Sequence, residues 1–339
     1  MSHPDHRKLL TRWAQHLYDF DLPAFLEVAR ASSSPDMAVH LCHPLGSGEG
    51  IDFFAQHLNN LAQAWPDLER REYIQMAGPA DDGDWVGCGG YYTGVSLAPW
   101  LDIPATGHQL VMRFHEFFKI QDGKVVEIQA IWDIPEVMFQ VGCWPLAPAL
   151  GKTWAAPAPA TCDGMLSGAR NESRSAASQA LVVDMLTHLS YLREGGVEAM
   201  KLDQFWHPKM NWYGPAGIGT NRGIQGFRHW HQIPWRKAFT DSRSEPGSCI
   251  FFADGDYVAV TGWPNMNMTW SGDGLMGVAG TGKEIEARSL DFWRCENGLI
   301  RENWVLVDLL HMYQQIGVDV FERMRELSPL PLNRGRLPG

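Results

Sequence analysis

Across 339 residues the chain never forms a C-x-x-C pair; its six cysteines, at 42, 88, 143, 162, 249 and 295, are scattered. That scatter disfavours a disulfide framework and points to a reducing, cytoplasmic setting. No apolar run approaches the roughly 18 residues that cross a bilayer. The opening MSHPDHRKLLTRW lacks the apolar core of a secretory leader, so no membrane partner is expected. Basic charge is short as well. Lys and Arg number 28 against 39 Asp and Glu, a net charge of −11, which disfavours nucleic acid because phosphates need a basic face. G-x-G-x-x-G, P-loop and G-x-S-x-G elements are all missing, leaving nucleotide binding and triad hydrolysis without support. His40-Leu-Cys-His43 and His229-Trp-His231 lack the paired spacing of a zinc site, so no metal is expected.

Tryptophan, in contrast, is plentiful: fifteen residues, each offering apolar area with a polar handle, suited to a core or to a pocket for a flat organic ligand. The chain also repeats itself. Thr106–Gly142, TGHQLVMRFHEFFKIQDGKVVEIQAIWDIPEVMFQVG, aligns without a gap on Thr281–Gly317, TGKEIEARSLDFWRCENGLIRENWVLVDLLHMYQQIG, at an offset of 175 with nine of 37 positions identical. The shared residues include Arg113/Arg288, Phe117/Phe292, Gly123/Gly298, Glu127/Glu302, Asp133/Asp308 and Gln140/Gln315. A duplication of this length predicts two domains of one fold.

Helical spacing places Leu9, Trp13 and Leu17 on one face, Asp21 caps a second short helix, and Ile51, Phe54, Leu58 and Leu61 stripe a third over 50–64. SSSPD (32–36) reads as a loop. Four strands follow, over 68–76, 85–92, 110–120 and 124–132. Helices first and antiparallel strands afterwards predict an α+β domain with its helices on one sheet face. Residues 143–175, rich in Ala, Pro, Gly and Ser, read as a linker draped over a surface. The pattern restarts with helices near 181–192 and 197–205 and a third over 223–239 that Pro234 should kink. The expected division is 1–142, linker 143–175, 176–327 with a last helix near 318–327, and a Pro-rich tail, 328–339.

The order and spacing of several fragments resemble the SnoaL-like polyketide cyclases of the nuclear transport factor 2-like superfamily. The first copy supplies AWPD (64–67), DIPATG (102–107), DGKVVE (122–127), IWD (131–133) and QVG (140–142). The second supplies AFTD (238–241), VAGTG (278–282), NGLIRE (297–302), WVLVD (304–308) and QQIG (314–317), a looser match without the prolines of the first two fragments. The resemblance implies two cone-shaped domains, each a curved sheet wrapped on N-terminal helices around an apolar cavity, packed as a pseudo-dimer within one chain, with further homo-oligomerisation left open. It implies a small apolar or aromatic ligand and cofactor-independent aldol-type ring closure. A strand-end Asp would act as general acid and base, a role that falls on Asp133 and Asp308. A related isomerase or dehydratase, or a non-catalytic ligand-binding module, would use the same pocket.

The hairpin can also be read by itself. Asp122-Gly123 and Asn297-Gly298 favour two-residue turns. A turn that tight pairs Glu296 with Leu299 and sets Asp308 opposite Ala287, Leu306 opposite Ser289, Trp304 opposite Asp291 and Glu302 opposite Trp293, all on one face. The first copy then gathers Met112, Phe114, Glu116, Phe118, Glu127, Gln129, Ile131 and Asp133. From these faces come the candidate ligand contacts Phe114, Glu116, Gln129, Asp291, Trp293 and Trp304. Asn265 and Asn267, alternating with methionines, offer amides for a carbonyl, and Trp263, Trp206, Trp212, Tyr213 and Trp270 are aromatics for a cavity or a core. Two readings of Asp308 stay open. A desolvated acid beside aromatics has a raised pKa, whereas a cap for the following helix has a lowered one. Arg113 and Arg288 read as structural ion-pair partners, and Glu127 and Glu302 as solvated.

Overall fold

The computed structural model describes residues 3–327 apart from Pro246; the expected tail, 328–339, lies outside the described residues. Helix α1 (His3–Tyr18) buries Leu10, Trp13 and Leu17. Asp21 caps α2 (Leu22–Ser32) by accepting from the Ala24 N–H at 3.1 Å, with Pro23 in its first turn. Helix α3 (Gly50–Ala64) buries the expected stripe of Ile51, Phe54, Leu58 and Leu61. Six strands accompany these helices: β1 (Ser33–Leu41), β2 (Ser47–Glu49), β3 (Glu69–Ala80), β4 (Gly83–Val95), β5 (Gln109–Gln121) and β6 (Lys124–Trp132). They form one sheet in the order β2-β1-β6-β5-β4-β3, antiparallel except for β1 beside β6. Helix α4 (Ile134–Val141) closes this half.

The second half repeats the plan. It contains α5 (Glu172–Ser190), α6 (Leu192–Ala199), β7 (Trp206–Tyr213), β8 (Thr220–Arg222), α7 (Gly223–Phe227), α8 (Ile233–Ala238), β9 (Ile250–Asp254) and β10 (Tyr257–Thr261). After these come β11 (Met266–Trp270), β12 (Lys283–Ala287), β13 (Ser289–Glu296), β14 (Leu299–Val307), α9 (Leu309–Gln315) and α10 (Val320–Leu327). Its main sheet runs β8-β7-β14-β13-β10-β9, the same permutation as the first, and β11 pairs with β12 alongside. These are two α+β cone-type domains in tandem, neither sheet closing into a barrel. Among the described residues no helix is long and apolar enough to cross a membrane.

Three expectations need correction. SSSPD is not simply a loop: Ser33 opens β1, and Pro35 and Asp36 fall in the irregular stretch between the Ser33 and Ala38 pairings, where a missing N–H is tolerated. Pro234 does not kink a continuous α-helix. A π turn at Arg228–Gln232 precedes it, and Pro234 sits in the first turn of α8, where no N–H is needed. The third concerns the hairpin register. The turn is as tight as expected, with Glu296 opposite Leu299 and positive φ at Asn297 and Gly298. Cys295 then pairs with Ile300 but Arg294 with Glu302, so Arg301 is an extra residue. The first copy has the same bulge at the equivalent Val126, between the Ile120–Val125 and Lys119–Glu127 pairs. One extra residue turns every later side chain of that strand to the other face.

The two halves touch through the outer faces of their sheets. Phe117 packs on Phe292 with ring centroids 5.0 Å apart, and His115 Nδ1 lies 2.6 Å from the Leu290 carbonyl. Both pairs join positions separated by the repeat offset. Gly78 is needed here: a Cβ would stand 2.6 Å from the Ala253 carbonyl oxygen of the facing strand. Residues of the Ala/Pro-rich linker are pinned to both sheets. The Gln75 N–H donates to the Gly164 carbonyl at 2.8 Å, and the Trp304 indole donates to that of Pro157 at 2.9 Å.

Candidate functional site

A cavity of about 550 Å³ lies inside the second half, between its helices and the inner face of its sheet. Leu186 and Leu189 of α5 approach from one side, Trp206 and Trp212 of β7 from another, and His231 from the π turn. The floor belongs to the hairpin. The bulge brings Ser289, Asp291 and Trp293 of β13 together with Asn303, Val305 and Val307 of β14. The same bulge sends Glu302, Trp304 and Leu306 to the opposite face, against expectation. There the Trp304 indole reaches the linker, and buried Glu302 accepts from Arg294 at 2.6 Å and from Tyr213 at 3.2 Å, so it is not solvated.

Asp291 sits in this floor with its Oδ1 buried and without a hydrogen-bond partner. The residue keeps some exposure because it lines the cavity, yet burial pushes its carboxyl well above the usual range; the Ser289 hydroxyl and the Arg113 charge oppose this only in part. Asn265 donates to Ser289 Oγ at 2.8 Å and accepts from the Ser289 N–H at 3.2 Å, so its amide serves to hold that serine. His231 stacks on Trp212 with centroids 4.1 Å apart. Burial holds the imidazole neutral, its pKa pushed down to about 3, and its Nδ1 has no partner. The buried indole N–H groups of Trp206 and Trp293 are unpartnered as well.

The equivalent position in the first half is Glu116, and its surroundings are the reverse. Its Oε1 accepts from Tyr92 at 2.8 Å and from the Trp132 indole at 3.0 Å, and Oε2 accepts from Arg70 at 2.7 Å. Trp13, Phe118, Phe114, Tyr92 and Trp132 crowd the same inner face, with Arg70 lying 4.2 Å over the Phe114 ring. In the second half Val307 stands in place of Trp132, and Met266, opposite Ala287, in place of Tyr92, opposite Met112. A hydrocarbon wall therefore replaces two donors. Gln129 faces away from this interior, against expectation, and bonds Thr261 of the other half; the bulge at Val126 is the cause.

Asp133 and Asp308 cap the helices that follow them. Asp133 accepts from the Glu136 N–H at 3.3 Å and Asp308 from the His311 N–H at 3.2 Å. Each also accepts a backbone N–H from the opposite half, Ala216 to Asp133 at 2.9 Å and His43 to Asp308 at 3.0 Å. Arg113 and Arg288 lie 3.3 and 3.8 Å from the Asp of their own half. Neither Asp is among the walls of the cavity. Capping nonetheless leaves both pKa values raised rather than lowered. Burial outweighs the N–H bonds and the arginine, lifting Asp308 to about 6, and burial likewise raises Asp133. Trp263 lies between His40 and Arg288 where the halves meet. Asn267 borders a separate surface hollow beside Glu284 and Gln315, and Tyr213 and Trp270 spend their polar atoms on Glu302 and Ala279. Among the described residues no group of three or more His, Cys, Asp and Glu could hold a metal ion. His231 escapes sequence reading, because the only pattern it offers there is the rejected His-Trp-His pair.

Helices packed on a curved sheet make an α+β domain that is present here in tandem, and in the second half they enclose an aromatic cavity with one open carboxylate. The family model for the SnoaL-like polyketide cyclase matches the chain twice, at residues 12–141 and 192–316, and the chain belongs to that family. Among solved structures it is similar to a candidate SnoaL-like polyketide cyclase from Jannaschia sp. CCS1, 20% identical over 41% of this chain and 92% of the other, with a TM-score of 0.35. It is also similar to IdmH, a candidate polyketide cyclase from Streptomyces antibioticus (19% identical, 40% and 96% covered, TM-score 0.34). TsrD from Streptomyces laurentii is a third (18% identical, 42% and 98% covered, TM-score 0.35). No curated protein matches the chain.

Proposed function

We propose that the chain is a SnoaL-type small-molecule enzyme with one working site, in the second half, where Asp291 moves a proton at the carbon next to a carbonyl. On a cyclic or polyketide-like substrate that step gives aldol-type ring closure without a cofactor. The observation that carries this reading is the contrast between equivalent carboxylates: Glu116 accepts three hydrogen bonds, while Asp291 Oδ1 has none and opens on a cavity. A general acid and base needs a pKa drawn toward neutrality and room for a substrate beside it. Asp291 has a raised pKa and borders that room; the strand-end pair Asp133 and Asp308 has a raised pKa without it. The wider proposal is a pseudo-dimer of domains 1–142 and 176–327 joined by 143–175, acting in the cytoplasm, a setting its free cysteines suit.

Solvent-deuterium incorporation into 2-tetralone, an aromatic ring ketone, followed by NMR, tests the chemistry without the natural substrate. Asp291→Asn should lower the protein-dependent rate by about 100-fold or more. A rate equal to that of the unaltered protein would overturn the proposal.

A further inference from the structure

Removing a proton from the carbon beside a carbonyl puts negative charge on the oxygen, and in a dry site that oxygen needs a hydrogen-bond donor already in place. We propose that the Trp293 indole N–H is this donor, an inference that rests on the proton-transfer reading of Asp291. Five buried indoles elsewhere find acceptors: Trp13 on Ser32, Trp85 on Asp82, Trp132 on Glu116, Trp270 on Ala279 and Trp304 on Pro157. Trp293 is 2% exposed, its Nε1 has no partner, and it lines the cavity. An unpaired buried N–H is costly unless something other than the protein completes it.

Position singles out Trp293 from Trp206, the other unpartnered indole of this wall. Asp291 and Trp293 are two residues apart on one face of β13, so their Cα atoms are about 7 Å apart. A carbonyl oxygen and the neighbouring carbon are separated by two bonds. With a hydrogen bond of about 2.9 Å at the oxygen and a similar approach at the carbon, one ketone spans the two side chains. Trp206 lies on β7, with β14 between it and β13, and serves the far end of a ligand. The first half has Phe118 at the position equivalent to Trp293; its ring cannot donate, and the carboxylate beside it is already satisfied. Open carboxylate and free indole occur together in one half.

The step balances without a co-reactant. Asp291 takes the proton, the C–H pair becomes the enolate double bond, and the carbonyl pair moves onto the oxygen held by Trp293. The enolate carbon then bonds to a second carbonyl carbon of the same substrate, and Asp291 returns its proton to the new alkoxide.

The test compares Trp293→Phe, Trp293→His and Asp291→Asn in 2-tetralone exchange, with naphthalene binding as a control that needs no hydrogen bond. Trp293→Phe should lose about 100-fold in kcat with KM nearly constant, keep the pH midpoint and bind naphthalene as before. It should also stop favouring the anion of bound 2-naphthol, a stable enolate mimic read by absorbance. Trp293→His, which restores a ring N–H, should exchange faster than Trp293→Phe. Equal kcat for Trp293→Phe and the unaltered protein, or equal rates for the Phe and His variants, overturns the assignment; if Asp291→Asn is slow in the same assay, the reading of Asp291 survives that failure. Full exchange by Asp291→Asn overturns both.

Discussion

Glu116→Gln and Asp291→Asn remove the same charge from equivalent positions, and stability should move in opposite directions. The Arg70 and Glu116 side chains are 3% and 0% exposed, so solvent does not screen their pair. Glutamine returns one acceptor but turns an amide N–H₂ toward donors, leaving Arg70 with Glu72 alone. Breaking a buried pair from one side costs about 3–5 kcal/mol. Asp291 instead buries a carboxylate oxygen with nothing to satisfy it, and replacing such a group by a neutral one of the same shape should gain about 1–3 kcal/mol. The gain must depend on pH. A raised folded pKa means the folded state holds its proton longer than the unfolded one, so no penalty exists below the unfolded value of about 4. The penalty grows as pH rises through the folded value. Urea denaturation followed by tryptophan fluorescence should therefore show Asp291→Asn more stable than the unaltered protein at pH 8 and nearly equal at pH 4.5, with Glu116→Gln less stable at pH 8. If Asp291→Asn is destabilised at pH 8 as Glu116→Gln is, Asp291 is a satisfied structural residue and the site reasoning fails.

Asp308→Ala strips a helix cap and a backbone bond to the other half, a loss of about 1–3 kcal/mol, and Asp133→Ala, which also unpairs buried Arg113, should lose about 3–5 kcal/mol; the urea midpoint should fall while 2-tetralone exchange per folded molecule persists. Lost exchange with unchanged stability would return the chemistry to the strand-end pair. His231, held near a pKa of about 3 by burial, should give an imidazole NMR shift that is flat from pH 5 to 8, and a titration in that window would show the cavity to be wet. Calorimetric titration with 2-tetralone should find one site per chain, and two equal sites would contradict the divergence of the halves.

The architecture was legible because it rests on periodic signals. The helix stripe Ile51-Phe54-Leu58-Leu61, the Asn297-Gly298 turn and the constant offset of 175 are local patterns that backbone geometry reads directly. The site was legible only in part, because it depends on a parity that one residue can reverse. Nothing in LIRENW marks Arg301 as the extra residue of a bulge, and without it Trp304 rather than Val305 stands opposite Asp291. Asp291 and Trp293, whose strand does not carry that extra residue, were rightly grouped with each other but wrongly with Glu302 and Trp304. Asp308 shows a second limit. Sequence offered a cap with a low pKa or an acid with a high one, and burial makes it a cap with a high one.

Duplication explains how the second interior can hold groups so poorly satisfied. Asp291 Oδ1, Trp206 Nε1, Trp293 Nε1 and His231 Nδ1 all lack partners, and at about 1–3 kcal/mol each they approach the 5–15 kcal/mol that holds a whole domain together. A solitary second half would be marginal. The first half has filled its own interior with aromatic rings and the Arg70–Glu116 network, while the contact between halves uses the outer faces, through Phe117 on Phe292 and the crossed caps at Asp133 and Asp308. Because contact and cavity lie on opposite faces of one sheet, side chains alternating along β13 can serve both without compromise: Phe292 holds the partner, and Asp291 and Trp293 stay open. It follows that a ligand completing those open groups should raise the stability of the second half and leave the first unmoved.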